Sequence, residues 1–237
     1  MSLLQVSNLH AHYDKSHVLK SVNLRVEAGE IVSLLGRNGS GRSTTLKALA
    51  GLVPPTTGSI RLGGRELAHE APHRIARAGI GYVPEERLVF PDLSVEENLQ
   101  IGMQPATRGA HVWDIEQMYA YFPRLRERRK THAGNLSGGE QQMLTLCRSL
   151  LGHPSVLLVD EPTEGLAPKI VTHLVDVIED INRRGVTVLL VEQKMTIALR
   201  VAHRCLIMGR GQIVFEGTPA QLRANAEVRR NWLEVGG

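Results

Sequence analysis

Aromatic side chains make up only 4% of the 237 residues, and there are just two cysteines, Cys147 and Cys205. The two thiols form no CxxC pair and no His/Cys cluster, which excludes a disulfide framework and a zinc site and leaves two reduced thiols. No apolar run approaches the ~20 residues needed to span a bilayer. The opening MSLLQVSNLH lacks the charged segment and long apolar stretch of a secretory signal, so the chain is expected to remain in the cytosol. Neither sign of charge dominates: the net charge of +4 is modest for this length. The one concentrated basic stretch, Arg124, Arg126, Arg128, Arg129 and Lys130, has no aromatic residues interleaved for base stacking. It reads as a solvated helical face rather than a nucleic-acid surface, and no nucleic-acid partner is expected. Repeats, low-complexity tracts and coiled-coil heptads are also lacking.

An apolar fraction of 42% and a charged fraction of 22% describe an ordinary globular chain, long enough for one large domain or one domain with an inserted lobe. LLQVSNLHAHY and VLKSVNLRVEAGE alternate apolar and polar positions, which predicts antiparallel strands joined by a turn near Asp14 to Ser16. The apolar run Ile31 to Leu35, a glycine-rich loop and a helical stretch from Ser43 to Ala50 follow. From Ser94 to about Gly152 the signals are mainly helical, beginning with a serine cap and an acidic first turn in SVEENL. Val156 to Val159 and Val186 to Val191 are charge-free β-branched runs flanking a helical stretch from Pro168 to Arg184, as strands covered on both faces of a parallel sheet should be. The expected architecture is α/β, with a mostly parallel central sheet and an N-terminal antiparallel β-subdomain. Residues 1–93 and 153–237 would form the core, and 94–152 an inserted α-helical subdomain.

Gly36, Arg37, Asn38, Gly39, Ser40, Gly41, Arg42, Ser43 and Thr44 lie between a predicted strand and a predicted helix, the context of a phosphate-binding Walker A loop. The glycines let backbone N–H groups turn inward around phosphate oxygens, and the helix aims its positive end at the same charge. Ser43 offers a hydroxyl to Mg²⁺. The lysine usual in this motif is Arg42 here, which keeps the charge and exchanges a point cation for a planar fork. A loop that merely turns the chain is the competing reading of these letters. The apolar run Val156 to Val159 ends in Asp160 and Glu161, the form of a Walker B strand: Asp160 to hold Mg²⁺, Glu161 to polarise the attacking water.

Leu136, Ser137, Gly138, Gly139 and Glu140 open a predicted helix just before that strand. The string LSGGE resembles the signature motif of ABC ATPases, and its place between the two Walker motifs is that family's order. The resemblance implies that Ser137, Gly138, Gly139 and Glu140 clamp an ATP held by a second subunit. It further implies that Tyr13 stacks on adenine, that Glu85 stands where most members carry a glutamine touching Mg²⁺, and that Gln193 stands in place of the switch histidine. Ala167 replaces the aspartate many members have in the following loop. With VPEERLVFPDLSVEENL, FPRLRERR and TVLLVEQ, nearly the whole chain looks like the smaller ATP-binding subunit of bacterial branched-chain amino-acid importers.

That resemblance implies an ATPase using ATP and Mg²⁺, with Glu161, Gln193 and Arg42 catalytic. Its partners would be an identical or paralogous ATPase subunit, integral membrane permease subunits and, indirectly, an extracytoplasmic substrate-binding protein. The chain would sit peripherally on the cytoplasmic face of the cell membrane. A second reading stays open: Arg42, Ala167 and Gln193 together are compatible with a regulatory ATP-binding module of weak or no hydrolysis.

Overall fold

The computed structural model describes residues 2–105 and 111–233. In chain order its elements are β1 (Ser2–Tyr13), β2 (Ser16–Glu27), β3 (Ile31–Gly36), α1 (Arg42–Leu49), β4 (Thr57–Leu62), β5 (Arg65–Glu66), α2 (Pro72–Ala78) and β6 (Ile80–Val83). There follow α3 (Val95–Gly102), α4 (Ile115–Tyr121), α5 (Pro123–Glu127), a 3-10 turn (Ala133–Asn135), α6 (Gly138–Leu150), β7 (Val156–Asp160) and α7 (Pro168–Arg183). The chain continues through β8 (Thr187–Val191), α8 (Met195–Val201), β9 (Arg204–Gly209), β10 (Gln212–Gly217), α9 (Pro219–Ala224) and α10 (Ala226–Trp232).

Two sheets result. The first is antiparallel, in the order β2-β1-β4-β5, and its long strands alternate buried and exposed positions because one face alone meets the core. The second has the order β10-β9-β3-β8-β7-β6, parallel from β9 through β6, with β10 antiparallel at one edge. Every residue of β7 and β8 is buried, as is β3 up to its last residue, which is why these segments read as continuous apolar runs.

This strand order places the C-terminal ends of β3, β7 and β8 side by side. Asp160, last in β7, pairs in register with Val191, last in β8, and Leu34 of β3 pairs with the same Val191. The two predicted Walker strands are therefore separated only by β8, and the loops that leave them meet at the carboxyl ends of the parallel strands.

The helices between β6 and β7 pack Leu99, Phe122, Leu125 and Leu144 into the same apolar cluster as Leu157 and Val159 of β7 and Val188 of β8. α3 and α6 open with complete capping boxes, Ser94 with Glu97 and Ser137 with Glu140. Tyr121 at the end of α4 donates its hydroxyl to Asp180 of α7 at 2.6 Å, which ties the helical segment to the core helix behind the sheet.

Candidate functional site

The loop after β3 is shaped by glycines with left-handed backbone. Gly36 has φ +156°, and a Cβ there would overlap the Met208 carbonyl of the adjoining β9; Gly41, with φ +108°, is the N-cap of α1. A side chain at either position would push the turn open. The α1 N-terminus thus begins at Arg42, with no acidic residue in its first turn, and the helix end keeps its positive potential. Buried Ser40 adds a hydroxyl without a hydrogen-bond partner inside this loop.

Arg42 is buried, and its guanidinium spreads over three acceptors: Glu161 Oε1 at 2.9 Å, Asn38 Oδ1 at 3.2 Å and the Glu192 carbonyl at 3.2 Å. Ser43 donates its hydroxyl to Asp160 Oδ1 at 2.9 Å. Glu161 follows β7 in a left-handed conformation, φ +44°, which is strained for a residue with a side chain and turns the carboxylate back toward α1. Gln193 donates its amide to the other oxygen of Glu161, and Glu192 beneath it accepts from Thr163.

The strand order thus gathers Asn38, Gly39, Gly41, Arg42, Ser43, Thr44, Glu85, Glu161 and Gln193 around one cleft. Burial pushes the Asp160 carboxyl up to about 6, with the Glu161 charge adding to the rise and the Ser43 and Tyr82 hydroxyls opposing it. The carboxyl of Glu85 is raised by partial desolvation and by the negative neighbours Glu161, Glu86 and Glu164. A cradle of backbone amides, a helix N-terminus and a cation, with carboxylates opposite, is a donor set for a polyphosphate.

The remaining sequence-derived candidates lie elsewhere. Tyr13 ends β1 as a half-exposed ring outside the cleft lining, and exposed Arg37 reaches the Arg230 carbonyl. Ser137, Gly138 and Gly139 form the tip of α6 and do not line the cleft of their own chain. The Glu140 carboxylate is engaged locally, accepting from Ser137 N at 2.8 Å and from Arg128 Nη1 at 3.0 Å, which draws it onto its own helix end.

Two neighbours escaped the sequence reading. Tyr82 lies on β6, and β6 pairs with β7, so its hydroxyl reaches Asp160 Oδ2 at 3.3 Å; burial and the Asp160 charge raise the phenol's pKa. Arg87, two residues after Glu85, donates to the Glu164 carbonyl at 2.9 Å. Neither had a motif to announce it. Only the string VPEERLVFPDLSVEENL, which contains Arg87 and begins one residue after Tyr82, drew attention to this stretch.

The family model for ABC transporters matches residues 19–164. The chain is 42% identical to the high-affinity branched-chain amino acid transport ATP-binding protein BraG of Pseudomonas aeruginosa, over 98% of this chain and 99% of the relative. It is 36% identical to the probable branched-chain amino acid transport ATP-binding protein LivF of Archaeoglobus fulgidus, over 93% and 94% of the two chains. Against the lipopolysaccharide export system ATP-binding protein LptB of Haemophilus influenzae the identity is 33%, over 98% of each. A solved ATP-binding subunit of an ABC transporter superposes with a TM-score of 0.82 at 28% identity, covering 97% of this chain and 93% of that one. A Walker-type cleft on an α/β sheet and a full-length match to ATP-binding subunits coincide in one polypeptide: the chain belongs to the ABC transporter family, as one of its ATPases.

Proposed function

We propose that two such domains, identical or paralogous, hydrolyse ATP between them and drive a membrane permease that imports branched-chain or related amino acids. The observation that carries the reading is the separation of the two anion-binding devices. The α1 cradle and the α6 tip each end in glycines and helix N–H groups, yet the α6 tip stands outside the cleft of its own chain. An ATP seated in one cradle is completed by Ser137, Gly138 and Gly139 of a companion, so differential contact with phosphate drives closure and its loss on hydrolysis drives opening.

Within the cleft, Glu161 accepts the proton of the attacking water, and the charge of Arg42 moves from that carboxylate to the phosphates as they enter. Gln193 orients the γ-phosphate through its amide. Ser43, Asp160 and Glu85 would hold Mg²⁺: the all-oxygen donor set and the 2.9 Å spacing of Ser43 and Asp160 suit a hard cation. When bound, the ion neutralises charge on the β- and γ-phosphates. Tyr13, exposed at the end of β1, supplies a ring face for adenine.

The permease docks in a groove of about 820 Å³ between α2, β6 and the C-terminal ends of α3 and α6, where Leu52, Tyr82 and Arg148 lie along the wall. Leu52, a large apolar side chain left half exposed on that wall, supports a protein partner there. No helix among the described residues is long and apolar enough to cross a membrane. In this reading, which follows the similarity to transport ATP-binding proteins, the chain attaches through the permease at the cytoplasmic face. The amino-acid cargo follows the 42% identity to BraG and is selected by the permease and an extracytoplasmic binding protein.

Glu161→Gln tests the core of this reading. The variant is expected to bind ATP, lose about 10²- to 10⁴-fold in turnover and accumulate as an ATP-bound pair by light scattering. Turnover at the wild-type rate would remove Glu161 from its role.

A further inference from the structure

Arg87 sits where three segments of the chain meet. Its backbone is left-handed, φ +51°, an uncommon conformation for a long side chain, and this directs the guanidinium away from the exposed Glu85–Leu88 stretch and back onto the body of the domain. Nη2 donates to the carbonyl of Glu164, in the loop that follows Glu161. The same side chain lies against Gly138, the first residue of α6, so closely that a Cβ there would overlap the guanidinium. On Gly165, φ +65°, a Cβ would stand 3.3 Å from Nη2. Two glycines on separate segments therefore leave room for one arginine between them.

The other side of the α6 tip is equally confined: a Cβ on Gly139 would stand 3.1 Å from Ile170 and 3.7 Å from Leu166. The glycine tip is held between an apolar wall from the start of α7 and a cation from the Glu85 segment. No carboxylate of the described residues lies within ion-pair distance of Arg87, whereas Arg128, at the same helix end, is paired with Glu140. The grip of Arg87 on this region rests on the Glu164 carbonyl and on packing. An arginine fork suits that task because one nitrogen bonds the carbonyl while the planar face covers a glycine.

We propose that Arg87 is a positioning residue for the composite ATP site: it fixes the Ser137–Gly139 tip and the Glu164–Ala167 loop relative to the Glu85 segment, so that the tip meets the phosphates of the opposite protomer in register. This rests on the paired-domain reading above. The residue acts through Gly138 and Glu164 and touches neither nucleotide nor metal of its own chain. Its loss therefore affects pairing and leaves the one-chain cradle alone.

The test uses the full chain carrying Glu161→Gln, with ATP-dependent pairing followed by light scattering and ATP binding by the dilute, unpaired protein followed by a fluorescent ATP analogue. Adding Arg87→Ala is expected to raise the ATP concentration at half-pairing about tenfold, the effect of losing one charge-assisted hydrogen bond, with analogue affinity unchanged. Arg87→Lys, which keeps a donor for the Glu164 carbonyl, is expected to recover most of the pairing, a result that general destabilisation would not give. Equal half-pairing concentrations with and without Arg87→Ala would overturn the proposal, as would a matching loss of analogue affinity in the unpaired protein. If Glu161→Gln alone fails to pair while binding the analogue, it is the paired-domain reading that falls.

Discussion

Arg42 and Glu161 are joined 2.9 Å apart in a buried ion pair whose side chains are only 4% and 6% exposed. One is the cation of the predicted phosphate loop and the other the carboxylate proposed to activate water, and each engages the other. Breaking such a pair by removing one partner strands a buried charge, so the contact yields only when something replaces it. On the function proposed above, an incoming triphosphate replaces Glu161 as the partner of Arg42, and release of Glu161 then coincides with arrival of the substrate. Gln193, bonded to the second oxygen of Glu161, completes the clasp.

Arg42→Lys separates a working enzyme from a regulatory module. Arginine satisfies Asn38, Glu161 and the Glu192 carbonyl at once through two terminal nitrogens, an arrangement a single ammonium cannot reproduce. Lysine should loosen the clasp and raise kcat about three- to tenfold, a change of about 1 kcal/mol in the barrier. A much larger gain, from an almost inactive wild type, would favour the regulatory module, and a loss of activity would show that the fork itself is needed on the phosphates.

The core strands and the phosphate loop were legible because their causes are local. β3, β7 and β8 are covered on both faces and so appear as unbroken apolar runs, and α1 starts at Arg42, one residue from the expected Ser43. The Arg42–Glu161 clasp was not legible, because the partners are 119 positions apart and meet only through the β3-β8-β7 strand order. Tyr82 reaches Asp160 for the same kind of reason. β9 and β10 also went unread: β10 is a half-buried edge strand without strict alternation. Glu140 illustrates a signal with two meanings, since Ser-x-x-Glu at a helix start is also the spacing of a capping box, and the structure spends the carboxylate there.

Leu52 tests the docking groove. It is half exposed on the groove wall at the end of the α1 segment, so Leu52→Asp costs little in folding but places a charge where an apolar partner surface would press. Co-purification with co-expressed permease subunits from detergent-solubilised membranes is expected to fall at least about tenfold. ATP binding by the isolated domain should be unchanged. Undiminished recovery with the permease would place the docking surface elsewhere.

Asp180 tests the joint between the helical segment and the core. Tyr121 donates to Asp180 Oδ2, and Arg184 and Arg183 bond the same carboxylate, which together hold its pKa near 2, below the ordinary 3.8. A depressed carboxylate contributes stability that is fully present above the unfolded value of 3.8 and is lost as pH falls toward 2. The side chain is partly exposed, so the shift is discounted for screening to about 1 kcal/mol, or about 2–4 °C in Tm for a domain of this size. Asp180→Asn should therefore lower Tm by that amount at pH 7, and the gap from wild type should narrow when the urea midpoint is measured at pH 3. Tyr121→Phe removes the largest contributor and should reproduce part of the loss while the arginine bonds persist. A gap that stays constant between pH 7 and pH 3 would mean that packing of the Tyr121 ring against its neighbours, and not the ionised carboxylate, holds the two parts together.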